Sequence, residues 1–80
     1  MGRHEAEEEM ITPMRTFRVH FSPVEYGPIE ASTESMAIHR ARVMFGGQLK
    51  RVTDDRIHRH LQELIDDKWF WCVGGEEFGT

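Results

Sequence analysis

Between Thr16 and Phe21 the chain alternates without a break. Phe17, Val19 and Phe21 are apolar, while Thr16, Arg18 and His20 are polar. A period of two is that of a β-strand with one buried face. A chain that contains such a strand must build a sheet and then cover its apolar face. The cover is legible further along, where the period lengthens. In ASTESMAIHRARVMFGG, Ala37, Ile38, Ala41, Met44 and Phe45 recur at helical spacing. Ser32 or Thr33 can cap the helix start, and Gly46-Gly47 end it. A second helix is expected from Thr53, with Asp54 and Asp55 in its first turn. Ile57, Leu61, Leu64 and Ile65 form its apolar stripe.

The remaining segments read as strands and turns. SPVEYGP, with two prolines and a glycine, is expected to be a hairpin loop carrying Tyr26, and Ile29–Ala31 the short strand that pairs back. QLKRV is long enough for one strand between the helices. KWFWCV is a closing strand of aromatic and β-branched residues. The expected fold is a single small α+β domain of order β-β-α-β-α-β, with a mainly antiparallel sheet and both helices on one face. Residues 1–13 read as an acidic tail and residues 14–80 as the domain.

Eighty residues suffice for one domain, and a chain this short buries only about 60–65% of its unfolded surface. Apolar residues at 39% and charged residues at 30% suit a folded, water-soluble domain. No apolar run is long enough to cross a bilayer, and MGRHEAEEEM lacks the apolar centre of a signal peptide. With one cysteine, Cys72, no internal disulfide forms, and the cytoplasm is the expected compartment. Charge is unevenly placed. Residues 39–60 hold six bases against Asp54 and Asp55, whereas residues 1–13 and 61–80 are both net acidic. Such a chain can fold into an electrically two-faced domain.

Residue chemistry points away from catalysis. His4, His20, His39, His58 and His60 show no paired metal-ligand spacing, and His58 and His60 lie two apart on a helix, facing different ways. Neither a metal nor a cofactor is expected. Cys72 inside an apolar strand reads as a small hydrophobe rather than a nucleophile. Gly46-Gly47 lacks the Lys-Ser/Thr of a phosphate loop. The final VGGEEFGT contains GGEEF, which resembles the signature loop of diguanylate cyclases. In that family the loop lies between two strands, and acids upstream help hold a metal. Here neither a following strand nor an upstream acidic site is expected from the residues given. The expected role is a Gly-Gly turn that folds EEFGT back and buries Phe78.

The closing strand singles out a binding surface. It is apolar on both sides, with Trp69, Trp71 and Val73 on one face and Phe70 and Cys72 on the other. Two helices cover one side of a sheet, so the rings facing the other side are candidate protein contacts. Trp69, Phe70 and Trp71 are the central ones, with Tyr26 as a further anchor. Asp66, Asp67, Glu76 and Glu77 flank them as a negative rim that would steer a basic partner. The competing explanation is that Met10, Ile11 and Met14 fold across the rings. In size, compact α+β layout and acidic ends, the chain resembles the small inhibitors that phages and mobile elements encode, such as anti-CRISPR proteins. The resemblance rests on format rather than on a motif. It implies a non-enzymatic protein that sterically blocks a nucleic-acid-handling host complex. The alternative is a nucleic-acid-binding regulator using Arg40, Arg42, Arg56 and Arg59. The acidic ends and the long connection between the helices weigh against it. Homodimerisation through the aromatic strand is a third reading.

Overall fold

The computed structural model describes residues 13–79. The alternating segment forms β1 (Arg15–Phe21), which turns at Ser22-Pro23 into β2 (Val24–Ala31). Helix α1 (Glu34–Met44) and the short helix α2 (Asp54–Arg59) follow. β3 (Leu61–Ile65) and β4 (Lys68–Trp71) complete the domain. The four strands make one antiparallel sheet in the order β2-β1-β3-β4. The α+β class, the four-stranded antiparallel sheet and the two helices all agree with the sequence reading.

Register puts the apolar side of each strand on a common face. Phe17 lies opposite Ile29 on β2, and Val19 lies opposite Leu61 on β3. These four residues, with Ala31, are fully buried beneath Ala37 and Ala41 of α1, Leu49 of the connection and Ile57 of α2. Both helix starts are capped as expected for β-hydroxyl residues. The Thr33 hydroxyl accepts from the Met36 N–H at 3.1 Å, and that of Thr53 from the Arg56 N–H at 3.1 Å.

Element positions differ from expectation in three places. QLKRV is not a strand. Residues 45–51 form consecutive turns, with Leu49 driven into the core while Lys50 and Arg51 stay in water. Arg42 fastens this connection by donating to the Leu49 carbonyl at 3.1 Å, to the Val52 carbonyl and to Asp54 at 2.5 Å. The second helix stops at Arg59, and Leu61–Ile65 is strand β3. The stripe Ile57, Leu61, Leu64, Ile65 therefore spans two elements. The free edge of β1 offers a ladder to Leu61–Leu64, and that long-range pairing outweighs continuation of a short helix. The structural order is accordingly β-β-α-α-β-β. Finally, β2 starts at Val24, so Tyr26 lies in a strand rather than on a loop.

A tight turn at Asp66-Asp67 joins β3 to β4. Both residues have positive φ, 54° and 67°, as a type I′ hairpin turn requires. Aspartate tolerates this left-handed region less well than asparagine followed by glycine. The double change Asp66→Asn, Asp67→Gly is expected to raise stability by about 1 kcal/mol. A urea midpoint that does not move, or falls, would show that the turn is not strained.

Candidate functional site

With both helices on one side, the other side of the sheet is built from Arg18 and His20 of β1, Gln62 of β3, and Trp69 and Trp71 of β4. Gln62 lies opposite Trp71, and Leu64 opposite Trp69. The tail completes this open face. Gly74 and Gly75 adopt φ of 98° and 74°, a region that side-chain-bearing residues avoid, and reverse the chain. The returning segment is tied to β4 by Trp71 N–H to the Glu76 carbonyl at 2.9 Å and Phe78 N–H to the Trp69 carbonyl at 2.8 Å. Phe78 is thereby laid against Trp71, with ring centres 5.6 Å apart, and His20, at 4.5 Å. The expected fold-back is present, with Phe78 half-buried rather than enclosed.

At the centre sits a charge. Arg18 is 8% exposed, and its Nε donates to Gln62 Oε1 at 2.6 Å. One terminal nitrogen pairs with Glu25 at 3.1 Å. The guanidinium lies 4.1 Å from the centre of the Trp69 ring and 5.3 Å from that of Phe78, close enough for cation–π attraction to both. The space for this side chain comes from β2. A bulge opposite Arg18 places Gly27 against it, and a Cβ at Gly27 would lie 2.9 Å from Arg18 Cβ. A cleft of about 240 Å³ opens there, lined by Arg18, Glu25, Gly27, Pro28 and Trp69. Two buried polar atoms have no hydrogen-bond partner among the described residues: Gln62 Nε2 and His20 Nδ1. The latter faces Glu25 at 3.7 Å, beyond hydrogen-bond distance.

No known protein family, characterised protein or solved structure matches this chain.

The structure divides the residues singled out from the sequence. Trp69 and Trp71 share the open face, and both stay partly exposed beside Arg18 and Phe78. Phe70 does not join them. It lies opposite Glu63, on the helix side, because a strand turns successive side chains to opposite faces. Tyr26 is also on the helix side, half-buried between Phe21 at 6.3 Å and Phe45 at 5.4 Å, where it packs the core edge. Asp66 and Asp67 occupy the β3–β4 turn, while Glu76 and Glu77 lie on the returning tail beside β4. The four acids line one margin of the sheet rather than encircling the rings. Met14 is 59% exposed. Met10 and Ile11, and most of the acidic tail, lie outside the described residues.

The four arginines of the alternative reading are not presented together. Arg42 is consumed by the connection it fastens, and Arg59 pairs with Asp55 at 2.9 Å. Arg40 lines a shallow groove between α1 and β2, with Met36, Val43 and Met44. Arg56 lies over Phe21. Sequence reasoning missed Arg18, Gln62 and Glu25 as parts of the open face. The signal was present, since strict alternation assigns Arg18 and His20 to the side opposite Phe17 and Val19.

Cys72 is a poor nucleophile here. Burial pushes its thiol from 9.0 up to about 12, and the nearby carboxylates of Glu34 and Glu63 act in the same direction. At pH 8 the native protein is expected to react with a disulfide reagent far more slowly than the urea-unfolded chain; equal rates would contradict this. The pH dependence has a definite sign. A raised folded value stabilises fully below the unfolded value of 9.0, and the contribution is lost as pH rises towards 12.

Proposed function

We propose that this chain is a non-enzymatic protein-binding module that docks through the open face of its sheet. The observation that carries the reading is that Trp69, Trp71 and Phe78 lie together on the helix-free side, held in place yet partly exposed. Aromatic rings and arginine dominate binding energy at protein interfaces, and rings already fixed in position lose little entropy on docking. Asp66, Asp67, Glu76 and Glu77 along the β4 margin favour a partner with a basic surface. In format the protein resembles small inhibitors of phages and mobile elements, including anti-CRISPR proteins. On that reading it acts in the cytoplasm by occupying a basic nucleic-acid channel of a host complex. The nucleic-acid-binding alternative has less support, since Arg42 and Arg59 are engaged within the domain.

The test is capture from host lysate followed by binding of the purified partner. Trp69→Ala and Trp71→Ala should each weaken binding by about 2 kcal/mol or more, the loss typical of an aromatic anchor. Folding of each variant is checked by circular dichroism. Asp66→Lys with Asp67→Lys should slow association and flatten its salt dependence. Excess unlabelled nucleic acid should compete for the partner. Unchanged binding in both tryptophan variants removes this face as the contact. Direct binding to DNA or RNA that weakens steeply with salt favours the alternative instead.

A further inference from the structure

We infer that the domain has a second binding site, at the α2 end of the open face, for a planar ring that carries a phosphate. A cleft of about 470 Å³ opens there, within the size range of small-molecule sites. Its two sides are aromatic. On one, the Phe21 ring is flanked by His60, with ring centres 4.5 Å apart. On the other, Phe78 packs against Trp71 at 5.6 Å and His20 at 4.5 Å. All of these rings except the buried His20 are partly exposed. A planar ligand entering between them would stack, as bases stack on aromatic side chains.

Charge defines the rest of the ligand. No carboxylate lines the cleft. Its cation is Arg56, whose guanidinium carbon lies 5.7 Å from the centre of the Phe21 ring. Among the described residues Arg56 has no acidic partner, in contrast to Arg42 and Arg59, which pair with Asp54 and Asp55. A guanidinium held over a ring at the mouth of an aromatic cleft suits a phosphate, which it can meet with two parallel N–H donors. His60 supplies a second polar edge. Its Nδ1 donates to the Arg56 carbonyl at 3.0 Å, which leaves Nε2 for a ligand. His20, 7% exposed, forms part of the wall through its ring, while its Nδ1 faces Glu25 at 3.7 Å, outside the cleft lining. The site needs no protein partner, and it shares Trp71 and Phe78 with the docking surface proposed above.

The full chain is titrated with adenosine monophosphate, phenyl phosphate, adenosine and inorganic phosphate. Binding is read from tryptophan fluorescence and from the NMR signals of the His20 and His60 rings. At least one of the ring phosphates should bind with a Kd near or below about 1 mM. It should bind at least about tenfold more tightly than inorganic phosphate, the worth of stacking one ring. Arg56→Gln should weaken it about fivefold or more, whereas Arg40→Gln, outside the cleft, should not. Phe78→Leu, which keeps an apolar cover, should weaken the ring phosphate and leave inorganic phosphate unchanged. Tighter binding of adenosine monophosphate than of phenyl phosphate assigns the site to nucleotides. The reverse assigns it to phosphorylated aromatic side chains. The inference is overturned if neither ring phosphate binds, if inorganic phosphate alone binds as well, or if Arg56→Gln has no effect.

Discussion

Arg18→Met is expected to destabilise the domain by about 3 kcal/mol, although methionine is the more apolar residue and the site is buried. The change removes the donor to Gln62 Oε1, an atom of a side chain with 0% exposure. It also strips the partner from Glu25 and the cation from the Trp69 face. Gln62→Leu alone should cost a similar amount, because it leaves Arg18 Nε buried without an acceptor. The double variant Arg18→Met, Gln62→Leu should be more stable than either single variant, since no polar atom is then left unpaired between these positions. Urea unfolding of the four proteins gives the coupling directly, expected at about 2–3 kcal/mol. Additive costs would show that the two side chains do not act as a pair. The same variants separate stability from docking: the double variant should fold well yet lose the cation that positions the rings.

The second large effect is expected at Gly27. Gly27→Ala places a Cβ 2.9 Å from Arg18 Cβ, 3.1 Å from the Phe17 carbonyl oxygen and 3.2 Å from Arg18 Cα. Two of these neighbours are backbone and the third is the fixed root of a side chain, so none can rotate away. Alanine should cost about 2 kcal/mol and Gly27→Val about 3 kcal/mol. Gly47→Ala is the control. Nothing lies within 4 Å of its added Cβ, and the effect should be close to zero. If Gly27→Ala were equally harmless, β2 would have to move away from β1 at the bulge. That would register as a changed environment for Trp69, which lies against Arg18.

Much of this architecture could be read along the chain. The alternation of β1, the caps at Thr33 and Thr53, the buried Ala37 and Ala41 of the first helix and the reversal at Gly74-Gly75 are each set by a few neighbouring residues. The structure contains all of them. The α+β class follows, since one half-buried sheet and two amphipathic helices leave few other arrangements. The misread segments share one property: their conformation depends on residues far away in sequence. Leu61–Ile65 has apolar spacing compatible with either period, and the free edge of β1 selects the strand. QLKRV sends Leu49 into the core, and its backbone N–H groups bond within local turns, Leu49 to the Phe45 carbonyl and Val52 to the Leu49 carbonyl.

The candidate surface divides in the same way. That Trp69 and Trp71 share a side, and Phe70 does not, follows from the pleat alone, so local sequence settles it. Which side faces water was open, because both carry rings. Tertiary packing chose, by placing both helices over Phe17 and Val19 and so turning the indoles towards Arg18 and Phe78. The pairing of Arg18 with Gln62, 44 residues apart, could only appear once β1 and β3 met. Periodicity is a property of neighbours and survives in a linear text, whereas a buried ion's partners are set by strand register, which exists only in the folded chain.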